Sequence, residues 1–214
     1  LFEKLSAKYQ YEEIERKIKP GQLYEFTASI TLILDGSKSI IVDTGLGTES
    51  DIRKLIKRGC LQLNKFGIKP SDVSYVVTTH GHPDHSGNTN DFVKATHYTS
   101  VFQHQNNRFK LSALFEVMLT TNVYLQKTPG HTPEDISVIV KNTKDYNTVF
   151  ISGDVFMRKE DVTYPMMWKP LSNNVTEQTE SRRKLLCLAN SIVPGHGPMF
   201  TVTEEMRIKA GCGK

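Results

Sequence analysis

The sequence predicts a layered fold of α-helices and β-strands, of the mixed α/β (α+β) class. Segments rich in β-branched and aromatic residues occur in groups, and amphipathic helical segments lie between the groups. Hydrophobic residues make up 38% of the chain and charged residues 23%, which is typical of a globular protein. A chain of 214 residues can bury an ample core without disulfides. We therefore expect an N-terminal arm over residues 1–21 and a single domain over residues 22–214.

The first half of the chain contains the clearest strand and turn signals. Residues 24–34 are rich in β-forming residues, and Asp35-Gly36-Ser37 separates them from a second apolar stretch at 38–42. This pattern predicts a β-hairpin. Residues 49–64 have apolar side chains near helical spacing and predict a helix, and residues 73–78 predict a buried strand.

The second half repeats the alternation of strands and helices. A short helix is expected at 88–94, followed by mixed strand and loop over 95–121. Further strands are predicted at 123–127, 136–141, 148–152 and 191–194, with an amphipathic helix at 177–190. The apolar runs are too short for a transmembrane helix, so no membrane partner is expected.

The net charge and the cysteine content limit which binding partners and which cellular compartment are expected. Lysine and arginine total 27 against 23 acidic residues, a formal charge of +4, which permits an anionic partner without a polybasic arm. The three cysteines, Cys60, Cys187 and Cys212, are odd in number and form no CxxC pair. We expect free thiols in a reducing compartment, the cytosol or the nucleus.

A cluster of histidines gives the strongest chemical signal. His80, His82, Asp84 and His85 lie within six residues, directly after the predicted strand at 73–78. Three imidazoles and a carboxylate in this position would repel one another if charged and would be costly to bury if unpaired. A divalent cation removes the conflict, because it takes neutral imidazole and carboxylate as ligands.

Four more polar residues have a similar context, the end of an apolar strand followed by a glycine-rich turn. They are Asp43, His131, Asp154 and His196. Together with the cluster they suggest a single site of oxygen and nitrogen ligands, suited to Zn²⁺, Mn²⁺ or Fe. The set exceeds the ligands of one tetrahedral ion, so two ions bridged by a carboxylate are expected. Such a pair would generate a bridging hydroxide, which predicts a hydrolase.

The segment THGHPDHSGN resembles the HxHxDH signature of the metallo-β-lactamase fold superfamily, in its glyoxalase II-like branch. The resemblance implies an αββα sandwich with the metal site at one edge of the two sheets. It assigns His80, His82 and His131 to a first metal, Asp84, His85 and His196 to a second, and Asp154 to the bridge. Asp43 would orient a ligand histidine, and Asp84 would also move a proton. Catalysis is thereby assigned to Asp84, His82 and Asp154.

A finer resemblance involves GDVF, Trp168, ESRRKLL and VPGHGPMFTV, which look like an animal subgroup of this superfamily. Its members are linked to endonucleolytic cleavage at the 3′ end of replication-dependent histone pre-mRNA. The resemblance implies a homodimeric, zinc-dependent endoribonuclease acting on single-stranded RNA. Candidate substrate-binding residues are Arg158, Trp168, Arg182 and Arg183, although the arginines also suit a solvated surface and Trp168 a packed core.

Asp154 stands where dizinc β-lactamases tend to have Cys or His, which disfavours antibiotic hydrolysis. Three other functions remain open at this point: a thioester hydrolase, a dioxygenase and a metal-binding regulator. A glyoxalase II-like thioester hydrolase of the hydroxyacylglutathione type would use the same metal pair. A mononuclear iron persulfide dioxygenase would use His80, His82 and Asp154. A metal-binding regulator without turnover should have gaps in the ligand set, and the sequence has none.

Overall fold

A computed structural model describes residues 2–5, 27–46, 63, 66–111 and 116–213 of the chain. Within them, thirteen strands form two sheets. The strands are β1 Phe2–Leu5, β2 Ile30–Asp35, β3 Lys38–Val42, β4 Tyr75–Val77, β5 Thr96–Tyr98, β6 Phe102–Gln105, β7 Arg108–Leu111, β8 Glu116–Met118, β9 Val123–Lys127, β10 Ile136–Thr143, β11 Asn147–Ile151, β12 Ser191–Val193 and β13 Phe200–Thr201. The α-helices are α1 Pro83–Ser86, α2 Val175–Leu188 and α3 Glu204–Ala210. Six short 3₁₀ helices lie between them, at Pro70–Asp72, Thr89–Phe92, Gly153–Val155, Lys159–Val162, Pro165–Met167 and Lys169–Leu171.

Strand directions bring the loops of both sheets to a common edge. The first sheet has the order β1 to β7, and β3, β4 and β5 run parallel. The second has the order β13-β12-β11-β10-β9-β8, in which β9, β11 and β12 share one direction. Backbone bonds from Ile136 N to Thr79 O, 2.9 Å, and from Ser29 N to Gly195 O, 2.6 Å, join the two sheets beyond these strand ends.

The main core lies between the two sheets. Val42 and Val77 of the first sheet belong to the same buried cluster as Leu125, Val138 and Ile151 of the second. The outer face of each sheet is also covered by apolar side chains. These outer clusters contain Leu32, Ile41, Val76 and Phe92 on the first sheet, and Phe150, Ile192, Leu185 and Leu186 on the second. The predicted layered α/β architecture is confirmed.

Most predicted elements coincide with observed ones. The hairpin, the strand at 38–42 and the strand at 123–127 match β2–β3 and β9, and the other strands and the helix at 177–190 differ by a few residues at their ends. The strand expected from residue 24 begins at Ile30 within the described residues. The predicted helix at 49–64 lies outside the described residues, Leu63 excepted. The elements β1, β13, α1 and α3, all of them short, were not predicted from the sequence.

The expectation of free thiols is wrong for two of the three cysteines. Cys187 and Cys212 form a disulfide with their Cα atoms 5.4 Å apart, whereas Cys60 lies outside the described residues. The pair becomes close because α3 packs back on α2, where the guanidinium of Arg207 donates to the carbonyls of Leu186 and Cys187. A separation of 25 residues gave no sequence signal of this contact. The argument for a reducing compartment therefore loses its basis.

None of the helices described here combines the length and the apolar character that crossing a bilayer requires.

We expect Leu185→Ala to lower the free energy of unfolding by about 2–5 kcal/mol, because Leu185 is fully buried against the second sheet. Leu188→Ala, on the same helix, should change it by less than about 0.5 kcal/mol, because Leu188 is 60% exposed. Urea unfolding followed by circular dichroism measures both values. Equal losses for the two variants would contradict the packing of α2 described above.

Candidate metal centre

Four loops at the common edge carry the predicted ligands. His80 and the residues up to His85 follow β4, and Pro83–Ser86 forms the short helix α1. His131 follows β9, while Asp154 follows β11 in the turn Gly153–Val155 and His196 follows β12. All the side chains predicted to bind metal therefore lie after the carboxyl ends of strands that point the same way. The structure brings all seven of them together in two neighbouring groups.

The first group consists of His80, His82, His131 and Asp154, with one candidate ligand atom from each within 4.8 Å of the others. Nδ1 of His82 lies 2.9 Å from Nε2 of His80 and 3.2 Å from Nε2 of His131. Oδ2 of Asp154 lies 3.4 Å from Nε2 of His131. A tetrahedral zinc ion with ligand distances of about 2.0–2.2 Å separates neighbouring ligand atoms by roughly 3.3–3.6 Å. The observed spacing fits such an ion.

The second group consists of Asp84, His85 and His196. Oδ2 of Asp84 lies 3.6 Å from Nε2 of His85 and 3.6 Å from Nε2 of His196. Asp84 is the more accessible member, since its side chain is 26% exposed whereas that of His85 is fully buried. This group therefore has a closed side toward the core and an open side toward solvent.

The carboxylate of Asp154 lies between the two groups. Its Oδ2 is 3.4 Å from Nε2 of His131 and 3.2 Å from Nε2 of His196, while its Oδ1 is 3.3 Å from Nε2 of His85. Burial alone would raise the pKa of Asp154, but His196 and His85 hold it well below its usual range. An ionised carboxylate whose Oδ2 faces both groups and whose Oδ1 faces the second is suited to bind two cations.

Asp43 lies behind the second group and holds His85 in place. Its carboxylate accepts hydrogen bonds from the backbone N–H of Thr79, the hydroxyl of Thr79 and Nδ1 of His85, each at 2.8 Å. Asp43 is 1% exposed and has a φ of 59°, so the chain turns sharply at the end of β3 to aim this side chain inward. Because Nδ1 of His85 donates to Asp43, the other ring nitrogen, Nε2, faces the second group.

The charges of this edge are not balanced by the protein alone. Burial and the neighbouring His85 lower the pKa of His80 to about 2, which leaves a neutral imidazole with a free lone pair. Nε2 of His85 and Oδ1 of Asp154 are buried and face each other at 3.3 Å, but neither forms a hydrogen bond with a described residue. Buried polar atoms are normally satisfied, so these two indicate a missing partner. A divalent cation fits both the donor chemistry and the spacing.

Two glycines allow the ligand loops to approach each other. Gly153 has a φ of 50°, and a Cβ there would lie 2.5 Å from Oγ1 of Thr79. A Cβ at Gly195 would coincide with Oδ1 of Asp154. Larger residues at these positions would displace either the Asp43–Thr79 contact or the carboxylate of Asp154.

Helix α2 fastens two of the ligand loops to each other, which the sequence analysis did not predict. The side-chain amide of Gln178 donates to the carbonyls of Asp154, 3.0 Å, and Val155, 3.3 Å. One turn further on, the hydroxyl of Ser181 donates to the carbonyl of Pro129, 2.8 Å, in the loop that carries His131. The helical spacing at 177–190 predicted an amphipathic helix, but the partners of its polar side chains depend on tertiary contacts.

The residues predicted to bind substrate differ in their exposure to solvent. Arg182 and Trp168 are 6% and 4% exposed, and the guanidinium lies 4.6 Å from the Trp168 ring centroid and donates to Asp161 at 2.7 Å. Burial contradicts the prediction that these two contact substrate, and it places Trp168 in the packed core. Arg183 is exposed on α2 and pairs with Glu180. Arg158 pairs with Glu160, and its Cβ lies 3.2 Å from where a Cβ of Gly197 would be, beside His196.

A two-sheet sandwich with clustered histidines and aspartates at one edge defines a metal-dependent hydrolase. The family profile of the Metallo-beta-lactamase superfamily matches residues 23–104. The Metallo-beta-lactamase domain-containing protein 1 of Xenopus laevis is 35% identical over 190 residues, covering 86% of this chain and 77% of that protein. The chain therefore belongs to the metallo-β-lactamase superfamily.

A second sequence relative and a solved structure are also similar to this chain. A Caenorhabditis elegans protein of unassigned function is 35% identical over 195 residues, covering 87% of this chain, and the chain spans about half, 52%, of its length. The crystal structure of a metallo-β-lactamase-like protein from Thermotoga maritima superposes with a TM-score of 0.66 at 19% identity. It covers 94% of this chain and 98% of that one, which supports the sandwich fold.

We expect Asp43→Asn to weaken zinc binding by about 10- to 100-fold, because the amide cannot replace all three hydrogen bonds that hold Thr79 and His85. Competition with a chromophoric chelator measures the affinity. Asp91→Asn, an exposed carboxylate in Thr89–Phe92, is the matched control and should bind zinc like the unmodified protein. Unchanged affinity in Asp43→Asn would show that Asp43 does not orient a ligand.

Proposed function

We propose that this protein is a dinuclear metal-dependent hydrolase, and that it acts as an endoribonuclease. The observation that carries the first part is the placement of Asp154. Its Oδ2 lies 3.4 Å from Nε2 of His131 in the first group and 3.2 Å from Nε2 of His196 in the second. The other six candidate ligands divide into three on each side of it. A single ion would leave the cluster of Asp84, His85 and His196 unexplained.

In this proposal His80, His82 and His131 would hold one ion and Asp84, His85 and His196 the other, with Asp154 available to both. Zn²⁺ is the favoured metal because all the ligands are nitrogen or carboxylate oxygen, with Fe and Mn as alternatives. Such an ion pair lowers the pKa of a water molecule to near neutrality and stabilises the charge that develops in hydrolysis.

The chain's own side chains supply orientation and proton transfer. Asp84 is the partly exposed carboxylate at the open side of the site, where it can accept a proton from the attacking water and later donate it to the leaving group. Asp154 stays ionised between the two groups. His82, which is exposed at the mouth of the first group, holds its Nδ1 between His80 and His131.

The substrate proposed is a phosphodiester of single-stranded RNA, with the 3′ end of histone pre-mRNA as the specific case. The resemblance to the animal subgroup supports this substrate, and the paired sites suit in-line displacement at phosphorus. Arg158, near His196, is a candidate contact for a phosphate, and Arg183 is a more distant one. A homodimer is part of the same proposal. So is a location in the cytosol or nucleus, which rests on the proposed RNA substrate and no longer on free thiols.

The substrate class is tested by incubating the zinc-loaded protein with end-labelled single-stranded RNA and, separately, with S-lactoylglutathione. Cleavage of RNA alone supports the proposal, whereas hydrolysis of the thioester alone supports a glyoxalase II-like enzyme. Metal analysis should give about two ions per chain. One iron per chain together with oxygen uptake on a persulfide would instead establish a dioxygenase.

We expect Asp154→Ala and His82→Ala each to lower kcat for RNA cleavage by at least about 100-fold, because each removes a ligand of the first ion. Asp154→Ala should also lower the bound metal below two ions per chain. Asp91→Ala is the control for a lost carboxylate outside the site. Cleavage that survives both ligand replacements would come from a contaminant or a different site, and the proposed function would be wrong.

A further inference from the structure

The hairpin formed by β6 and β7 lies at the edge of the first sheet, away from the metal centre and without a role in it. β7 is the last strand in the order of that sheet. Its apolar side chains are exposed to solvent, 66% for Phe109 and 74% for Leu111. Exposed aromatic residues on an edge strand are a feature that soluble proteins usually avoid unless the surface binds a partner.

Three rings form a stack that ends at this surface. His97 of β5 stacks on His104 of β6 with centroids 4.8 Å apart and planes at 10°, and His104 stacks on Phe109 at 5.0 Å and 24°. His97 is anchored in the protein because its Nε2 bonds to the carbonyl of Phe92 at 3.0 Å. The inner end of the stack is therefore fixed and buried, while the outer ring is open. An exposed ring of this kind can stack with another planar ring.

The opposite face of the same strand is basic. Arg108 and Lys110 are exposed, and no acidic side chain among the described residues forms an ion pair with either. Antiparallel pairing of β7 with a second copy of itself would place Arg108 opposite Lys110, or Lys110 opposite itself. Like charges directly opposite are destabilising, so the strand disfavours a self-interface and favours an anionic partner.

The hairpin is close enough to the metal centre to share one extended ligand. The backbone N–H of Thr78, two residues before His80, donates to the carbonyl of Tyr98 at the end of β5. From β4 to β7 the sheet is three strand spacings wide, about 14 Å, and the register places Phe109 level with Val76, about 13 Å before His80 along the strand direction. A few nucleotides of single-stranded RNA can span the resulting distance of about 19 Å.

We infer that the β6–β7 hairpin is a docking platform for single-stranded RNA. Bases stack on Phe109 on one face of the edge strand. The phosphates pass along the free edge of β7, where the long side chains of Arg108 and Lys110 reach them from the other face. This inference rests on the proposed function, because it supplies the binding surface for the substrate of the metal centre.

The test uses zinc-loaded protein and a fluorescein-labelled 12-nucleotide oligouridine, with binding followed by anisotropy at several salt concentrations. Phe109→Ala should weaken binding about tenfold through lost stacking. Arg108→Gln combined with Lys110→Gln should weaken it and reduce the slope of log affinity against log salt by about 1.4, or about 0.7 per phosphate contact. Hydrolysis of bis(p-nitrophenyl) phosphate, which is too small to reach the hairpin, should not change.

Matched controls make the same changes at other surfaces. Leu188→Ala removes an exposed apolar side chain from α2, and Lys144→Gln with Lys209→Gln removes two exposed charges elsewhere. Both should bind RNA like the unmodified protein. Equal losses in the charge control and the hairpin variant would overturn the inference, because they would show an effect of net charge alone.

Two other results separate this inference from the proposed function. If the unmodified protein cleaves RNA and the hairpin variants bind and cleave it equally well, the docking platform is wrong and the endoribonuclease stands. If the unmodified protein neither binds nor cleaves RNA, both fail. Light scattering tests whether the hairpin is instead a dimer interface. If the unmodified protein is a dimer and Phe109→Ala converts it to a monomer, this surface binds a second copy and the inference is overturned.

Discussion

The crowding of imidazole nitrogens and carboxylates at one sheet edge is the constraint on which the site depends. Five histidines and the carboxylates of Asp43, Asp84 and Asp154 lie there, mostly removed from water. The protein satisfies part of this set internally, since Asp43 is bonded to Thr79 and His85. The remaining ligand atoms converge on one another at 2.9–3.8 Å. Such an arrangement is costly without cations and favourable with them.

The residues of this site were predictable because each is marked by its neighbours in the sequence. An apolar strand that ends in a glycine-rich turn with a histidine or aspartate occurs for Asp43, His131, Asp154 and His196. Strand direction then determines that side chains following such strands meet at one edge, which is what the structure shows. The layered fold was predictable for the same reason, since strand and helix periodicity are local properties of the sequence.

The errors have a common cause in contacts between distant residues. Arg182 has a charged side chain of the kind that binds phosphates, yet it lies between Phe156 and Trp168. Its Cζ atom is 4.0 Å from the centroid of the Phe156 ring. The Cys187–Cys212 bond depends on how α3 packs on α2, and the contacts of Gln178 depend on how α2 crosses two loops. A sequence pattern reports that a residue is polar or helical, but it does not report which distant backbone atom that residue will meet.

The division of ligands between the two sheets links the chemistry of the site to the stability of the fold. His80, His82 and His85 follow a strand of the first sheet, whereas Asp154 and His196 follow strands of the second. An ion held by ligands from both sheets would join the sheets at this edge. Among the described residues, backbone hydrogen bonds of Ile136 and Ser29 also connect the two sheets there. Because the unfolded chain does not assemble this ligand set, the free energy of ion binding adds to the free energy of sheet packing. Loss of a ligand should therefore weaken both catalysis and the sandwich, whereas loss of an exposed hairpin residue such as Phe109 should leave the sandwich unaffected.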